Sequence, residues 1–310
     1  MLLVFLRSVA VSNPGARVSV YWQDIPERLL AGLQAVSPHA DFVRTEFDFA
    51  GDPIQRISSK VLSWARAAEE HEGERELVFC DSDTLVRRDL SGFFAKADAD
   101  VVFTTKPENV PLNSGVMLAR GGAAATAFFR AWRDETVRIL KTPELFAQAN
   151  DQTQPYGGTD QMSLHQMLSY ERGREAYTVT CGGLAVRLRA ESCARLNETN
   201  SRPLSDEIHV VHYKAGWQAI LLRGRPFSRF RPRTESWEMM TLFLETLSSA
   251  ITAVNNATDS YFTPRDWGIQ WPWYYKAGGR FSRAGYAAWR AKEAAKRAWL
   301  MVTGRLGSGM

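Results

Sequence analysis

The chain alternates between short apolar runs and longer stretches with a helical repeat. "ARVSVYW" (16–22) has the β-branched and aromatic content of a strand, and "PERLLAGLQAV" behind it reads as a helix opened by Pro26. "DFVRTEFDF" predicts a second strand. "QRISSKVLSWARAAEEHEG" predicts a helix with Ile57, Val61, Trp64, Ala65 and Ala68 on one face, closed by Gly73. "ELVFC" (76–80) is an apolar run suited to a central strand buried on both faces. "ADVVFTT" and "SGVMLAR" predict two more strands, followed by a helix from Ala123 to Leu140. Alternation of this kind specifies an α/β domain with a mainly parallel sheet flanked by helices. At the start, "LLVFLRSVAVS" reads as a helix over Leu2 to Ser12, followed by an Asn-Pro-Gly turn and the first strand. The alternative is that "MLLVFL" is itself a strand.

Composition narrows the class. With 310 residues, 45% of them hydrophobic and 23% charged, the chain has the make-up of a soluble globular protein rather than a disordered one. Cys80, Cys181 and Cys193 form no CxxC pair and are odd in number, which argues against a zinc ribbon or a disulfide framework and fits a reducing compartment. The apolar start breaks at Arg7, short of the ~7–15 residues of a signal-peptide core, and no run approaches the ~20 residues of a membrane span, so a cytoplasmic location is expected. The Asn-x-Thr sequons at Asn197 and Asn256 are read as chance. The net charge of +4 is uneven: from Arg265 onward nine basic residues face two acids, +7, which leaves −3 for residues 1–264. Basicity confined to the tail argues against a nucleic-acid partner.

Candidate chemistry begins where "ELVFC" ends, at Asp81-Ser82-Asp83. Ligands of open α/β sheets bind at the carboxyl ends of strands, and side chains at i and i+2 of extended chain project to one side. Two carboxylates so placed repel unless a cation lies between them. They form either a metal site or a turn of solvated acids. Three further segments bear on the choice. "PLNSGVMLAR" sets Asn113, Ser114 and Gly115 before a strand, with an amide and a hydroxyl suited to sugar hydroxyls and a glycine that admits close approach; an ordinary turn is the alternative. "GGTDQMSLHQML" places Asp160 and Gln161 in the first turn of a helix, where a cap is the alternative. "IHVVHYKAGW" carries His209 and His212 on a strand, followed by Lys214 and Trp217. Arg56 and Lys60, one helical turn apart, offer positive charge or simply a solvated helix face.

The ordered set of apolar strand, Asp-x-Asp, Asn-Ser-Gly, Asp-Gln, then histidine followed by lysine and tryptophan, resembles the GT-A fold nucleotide-sugar glycosyltransferases. The likeness is to the glycogenin-like and bacterial galactosyltransferase-like retaining enzymes, over roughly residues 5–222. It implies a Rossmann-like sheet and a Mn²⁺ or Mg²⁺ ion held by Asp81, Asp83 and His212 on the diphosphate of a nucleotide sugar. It also implies donor contacts from Asn113, Gly115 and Lys214, with Asp160 and Gln161 as the catalytic pair facing the anomeric carbon; Ser114, by its hydroxyl, and Lys60, by its charge, are further donor-binding candidates. In that family the lysine usually lies further from the histidine than Lys214 does here. The acceptor would be a glycan, a lipid-linked molecule or a protein. The resemblance also leads to the expectation that a strand and a base-binding loop precede the first helix, and hence that the chain starts late. Two rivals share the scaffold: a sugar-nucleotidyltransferase, which opens on a glycine-rich basic loop not seen here, and a non-catalytic nucleotide-sugar binder, which would lose its metal ligands.

Residues 223–310 read as a separate helical, aromatic and basic extension. "RGRPFSRFRPR" carries Arg223, Arg225, Arg229, Arg231 and Arg233, and "SWEMMTLFLETLSSAITAV" is an apolar helix. In "AGYAAWRAKEAAKRAWLMVTGRL" an apolar face opposes a basic one. That helix either packs back on the domain or lies on an anionic membrane surface, which would suit a lipid-linked acceptor.

Overall fold

The computed structural model describes residues 1–46, 53–96, 98–107, 109–151, 153–199, 204–214 and 234–269, with 275–276, 280–281 and 291. Trp217, the arginines of 223–233 and, apart from residue 291, the basic helix of the tail, with its membrane role, lie outside the described residues. No described helix is long and apolar enough to cross a membrane.

Helix α1 (Leu2–Ser12) leads into β1 (Ser19–Trp22), α2 (Glu27–Val36) and β2 (Asp41–Arg44), and β1 and β2 pair in parallel from Ser19↔Asp41 to Trp22↔Arg44. The first residues are thus helical, not a strand. The single helix expected over 55–73 is broken at Ser58 into α3 (Pro53–Ile57) and α4 (Ser59–Glu70). Bonds from Ser58 N–H to the Gln55 carbonyl and from Val61 N–H to the Ser58 carbonyl tighten the chain there to three-residue steps.

There follow β3 (Glu76–Cys80), β4 (Thr84–Val86), α5 (Ser91–Lys96), β5 (Val101–Thr105), β6 (Leu112–Arg120), α6 (Ala123–Lys141), α7 (Pro143–Asn150) and α8 (Thr159–Leu168). The chain continues through β7 (Ala176–Cys181), β8 (Leu184–Ser192), α9 (Cys193–Leu196), β9 (Val210–His212) and α10 (Thr234–Ala257). Five strands form the central sheet in the order β3-β6-β5-β8-β7. The α/β class holds, and the sheet is mixed. β5 and β8 run parallel, whereas β3–β6, β5–β6 and β7–β8 are antiparallel. The expectation of parallel strands is corrected at those places: β5 turns into β6 across residues 106–111 and β7 into β8 through Gly182 and Gly183 alone, both with positive φ, too short for a crossover, and β6, reversed in this way, then pairs antiparallel with β3.

Alternation along the strands divides the core. Phe79, Val101, Phe103, Met117 and Leu188 pack with Trp64 of α4 and with Phe128, Phe129 and Trp132 of α6 on one face of the sheet. Val102, Val116 and Leu118 meet Val86, Phe94 and Val210 on the other. Helix α10 buries Met239, Met240, Phe243, Leu244, Leu247, Ala250, Ile251 and Val254, spaced at the helical repeat, against Leu3 and Leu6 of α1, Leu33 of α2, and Leu85 and Val211.

Candidate functional site

The site is built where β3 ends beside β6 and where β4 meets β9. Backbone N–H of Asp81 donates to the Gly115 carbonyl (2.8 Å), which continues the β3–β6 ladder one residue past Cys80↔Val116. The Thr84 N–H (3.1 Å) and hydroxyl (2.8 Å) then donate to the Asp81 carbonyl and fold Asp81-Ser82-Asp83 into a turn. In the β4–β9 pair Thr84 lies opposite His212, and Tyr213 N–H donates to the Asp83 carbonyl (2.9 Å). Local strand geometry aims the two carboxylates to one side, and this pairing brings the imidazole to them. His212 Nε2 lies 2.9 Å from Asp83 Oδ1 and 3.7 Å from Asp81 Oδ2, and one ligand atom from each of the three residues falls within 4.8 Å of the others. His209, one residue ahead of that strand, is engaged elsewhere, with Nδ1 at the Asp89 carbonyl (2.8 Å) and its ring edge-on to Phe93.

His212 is 1% exposed, and its orientation is imposed by Asn197. The Thr104 hydroxyl donates to the Asn113 carbonyl, so it accepts from Asn197 Nδ2 (2.9 Å), and this leaves Asn197 Oδ1 facing His212 Nδ1 (2.8 Å). The network places a proton on Nδ1 and turns Nε2 toward the carboxylates, the ring orientation that metal-ligating histidines use. The sequence reading missed Asn197. Its sequon is indeed no surface acceptor, because the side chain is wholly buried. Gly115 is required by the same packing: a Cβ there would stand 2.3 Å from His212 Cε1 and 3.1 Å from Asp81 Oδ2.

A second cluster adjoins the first. Asp160, in the first turn of α8, is buried; its Oδ2 accepts from Lys60 Nζ (2.8 Å) and from the Ser114 hydroxyl (2.5 Å). Lys60 also reaches Asp81 Oδ2 (3.2 Å) and Ser114 Oγ (3.0 Å), so one ammonium ties the two acidic elements together. Lys60 is therefore a half-buried bridge between the two acids, not a solvated helix residue, while Arg56 stays exposed. Trp132 Nε1 donates to the Asp160 carbonyl (3.0 Å) and anchors the helix start in the core. Gln161 follows, its Nε2 donating to the Gly157 carbonyl (3.0 Å). Gly157 and Gly158 hold φ of +71° and +135°, and a Cβ on Gly157 would press on Val110 at 2.7 Å. Lys214 Nζ donates to Asn113 Oδ1 (2.7 Å), which also accepts from Gly115 N–H (3.2 Å). Gln161 Oε1 and Asn113 Nδ2 are buried and have no hydrogen-bond partner among the described residues.

Electrostatics follow from burial. Desolvation pushes the Asp81 carboxyl above its usual range, against the pull of Lys60 and His212 and with the repulsion of Asp83 and Asp160. Desolvation also acts on Asp160, but the Lys60 charge and the hydrogen bonds from Lys60 and Ser114 outweigh it and hold that carboxyl low. Burial opposes the Lys60 ammonium, yet Asp160 and Asp81 keep it charged. Lys214 is depressed by burial and by the neighbouring Lys60 cation. Three carboxylates, Asp81, Asp83 and Asp160, thus lie with the amines of Lys60 and Lys214 around the His212 imidazole.

No protein-family model matches the sequence, and no curated protein sequence matches it. Among solved structures the chain is similar to the galactosyltransferase LgtC in complex with donor and acceptor sugar analogues, at 17% identity over 86% of this chain and 94% of that one, TM-score 0.45. It is also similar to the glycosyltransferase GlyE of Streptococcus pneumoniae TIGR4, at 15% identity over 82% of this chain, TM-score 0.42. A third is a glycosyltransferase involved in glycosylation of the major capsid of PBCV-1, at 13% identity over 64% of this chain and 94% of that one, TM-score 0.39. The chain spans 60% of the length of the pneumococcal protein it matches. At these scores the likeness is too loose to assign an activity or a residue to this chain.

Proposed function

We propose that this chain is a metal-dependent glycosyltransferase that moves a sugar from a nucleoside-diphosphate sugar to a glycan, lipid-linked or protein acceptor. The observation that carries the reading is the triangle of Asp81, Asp83 and His212, with ligand atoms within 4.8 Å and the imidazole tautomer set by Asn197. Two hard carboxylates and an imidazole suit Mn²⁺ better than Mg²⁺. A divalent ion there supplies Lewis-acid stabilisation of the departing diphosphate.

The surrounding side chains have roles that suit such a donor. Lys214 brings a cation beside Asn113 and toward the phosphates. Gln161 Oε1 and Asn113 Nδ2, one acceptor and one donor, are buried without partners among the described residues and match a hydroxyl-rich ring. Asp160, held ionised by Lys60 and Ser114, is a weak base; it serves better as a fixed negative charge against the oxocarbenium character of the sugar. Gly115 lets the backbone come close to the metal and the donor.

The test is hydrolysis or transfer across a panel of nucleotide sugars with and without Mn²⁺. Asp83→Ala should abolish metal-dependent nucleotide-sugar binding while the circular dichroism spectrum stays that of the parent. Undiminished Mn²⁺-dependent turnover in that variant would overturn the reading.

A further inference from the structure

Lys60 stands against the oxygen on which the cation site depends. Its Nζ lies 3.2 Å from Asp81 Oδ2, and the same oxygen faces His212 Nε2 at 3.7 Å. An ammonium group and a divalent ion are thus set against one carboxylate. The ammonium is also held in place. Asp160 Oδ2 lies 2.8 Å and Ser114 Oγ 3.0 Å from it, the centroid of the Trp64 ring lies 5.5 Å away, and the lysine side chain is 18% exposed. Asp160 is itself buried, and the Ser114 hydroxyl and Trp132 Nε1 fix its carboxylate and its carbonyl.

This arrangement has a consequence for charge. Two of the three acids gathered here, Asp81 and Asp160, are engaged by Lys60. A fixed positive charge a few ångströms away acts twice as strongly on a divalent ion as on a monovalent one. Lys60 therefore weighs more heavily against a bare divalent ion at Asp81 than against any single charge that competes for the same oxygen. A diphosphate changes the balance. It arrives with negative charge of its own and offers a hard cation oxygens that Lys60 does not occupy.

We infer that Lys60 is a positioning residue that keeps Asp81, Asp83 and His212 from holding a divalent ion by themselves, so that the ion enters and leaves with the diphosphate of the donor. The inference rests on the metal reading above and adds an order of binding to it: the ion accompanies the substrate instead of residing in the protein. Asp160 is the anchor, because its carboxylate keeps the ammonium beside Asp81. By linkage, an ion that binds poorly alone and well beside a diphosphate raises the affinity for the diphosphate by the same factor.

The test is calorimetry on the full chain with Mn²⁺ alone, with UDP, ADP and GDP in turn, and with Mn²⁺ at saturating diphosphate. In the parent, diphosphate should tighten Mn²⁺ at least about tenfold, and Mn²⁺ should tighten the diphosphate equally. Lys60→Met should tighten Mn²⁺ alone at least about tenfold and shrink that factor, whereas Lys60→Arg should keep the parental pattern. A gain of affinity is a result that loss of structure does not give. Because Lys60→Met leaves buried acids without their cation, the double variant Lys60→Met/Asp160→Asn is measured beside it. It too should bind Mn²⁺ alone more tightly than the parent, since the Lys60 charge acts on Asp81 more strongly than the Asp160 charge does. Equal or weaker binding of Mn²⁺ alone in Lys60→Met, or in the double variant where Lys60→Met does not fold, overturns the inference. A parent that holds Mn²⁺ as tightly without diphosphate as with it does so too. The metal reading fails separately, when Asp83→Ala binds Mn²⁺ in the presence of diphosphate as tightly as the parent.

Discussion

β3 and β6 are hydrogen-bonded neighbours of similar apolar character, yet they live in different surroundings. From Leu112 to Ala119 every residue of β6 is buried, whereas Val78 in the middle of β3 is 41% exposed. β6 lies between two strands, with a filled core on each face. β3 has β6 on one edge and a cavity on the other. An apolar run thus records the burial a strand requires, and the neighbours on both edges decide whether it is met. The functional groups sit at the seam between these regions, rigid where Trp132 and Asp160 enter the closed side and open toward β1.

The contrast is broken most severely on the closed side. Trp132→Ala removes a fully buried ring in contact with Trp64, Phe128 and Phe129 and the donor to the Asp160 carbonyl; it should cost about 3–5 kcal/mol in urea unfolding. A loss below about 1 kcal/mol would mean that the closed side is not well packed.

At the seam, Lys60→Met leaves Asp160 and Asp81 without their shared ammonium. With part of the lysine in solvent, the loss should be about 3 kcal/mol at pH 7. The sign of its pH dependence follows from Asp160, whose folded carboxyl lies below its unfolded value. Its contribution is present above the unfolded pKa of about 3.9 and is lost as pH falls through the folded one. The gap between parent and variant in urea midpoint should therefore narrow as pH falls below about 4. A gap that widens on acidification would show that Lys60 is not the partner that matters.

Asn197→Ala probes the imidazole. Freeing the tautomer should weaken Mn²⁺ binding by about 10–100-fold in calorimetry. Unchanged affinity would mean that the Asn197 bond does no orienting. The smallest effect belongs to the open edge: Val78→Ala should change stability by less than about 1 kcal/mol. A cost equal to that of Val102→Ala, a buried position on the closed side, would show that Val78 is as tightly packed as the core.

Much of this site is legible in the sequence. Asp81 and Asp83 stand at a strand end because the apolar run stops at Cys80, and Asp160 with Gln161 opens a helix because Gly157 and Gly158 precede it. Helices α1 and α10 show in their periodicity. Two features were not legible. Lys60 looks like any charged residue of an amphipathic helix until α4 is laid beside Ser114 and Asp160. Asn197 carries no local signal apart from a sequon that points to the wrong chemistry.

The division has a physical cause. Residues near in sequence are constrained by strand and helix periods, so the sequence alone determined the strand that ends at Cys80, the i, i+2 carboxylate pair and the helix that opens at Asp160. What joins Asp81 to Asp160, His212 to Asp83 and Asn197 to His212 is contact between segments 15 to 129 residues apart in the chain, for which no local period exists. Strand order, the antiparallel hairpins and the open edge between β1 and β3 belong to the same class. They are set by which surfaces bury one another once the elements exist, and only the tertiary structure decided them.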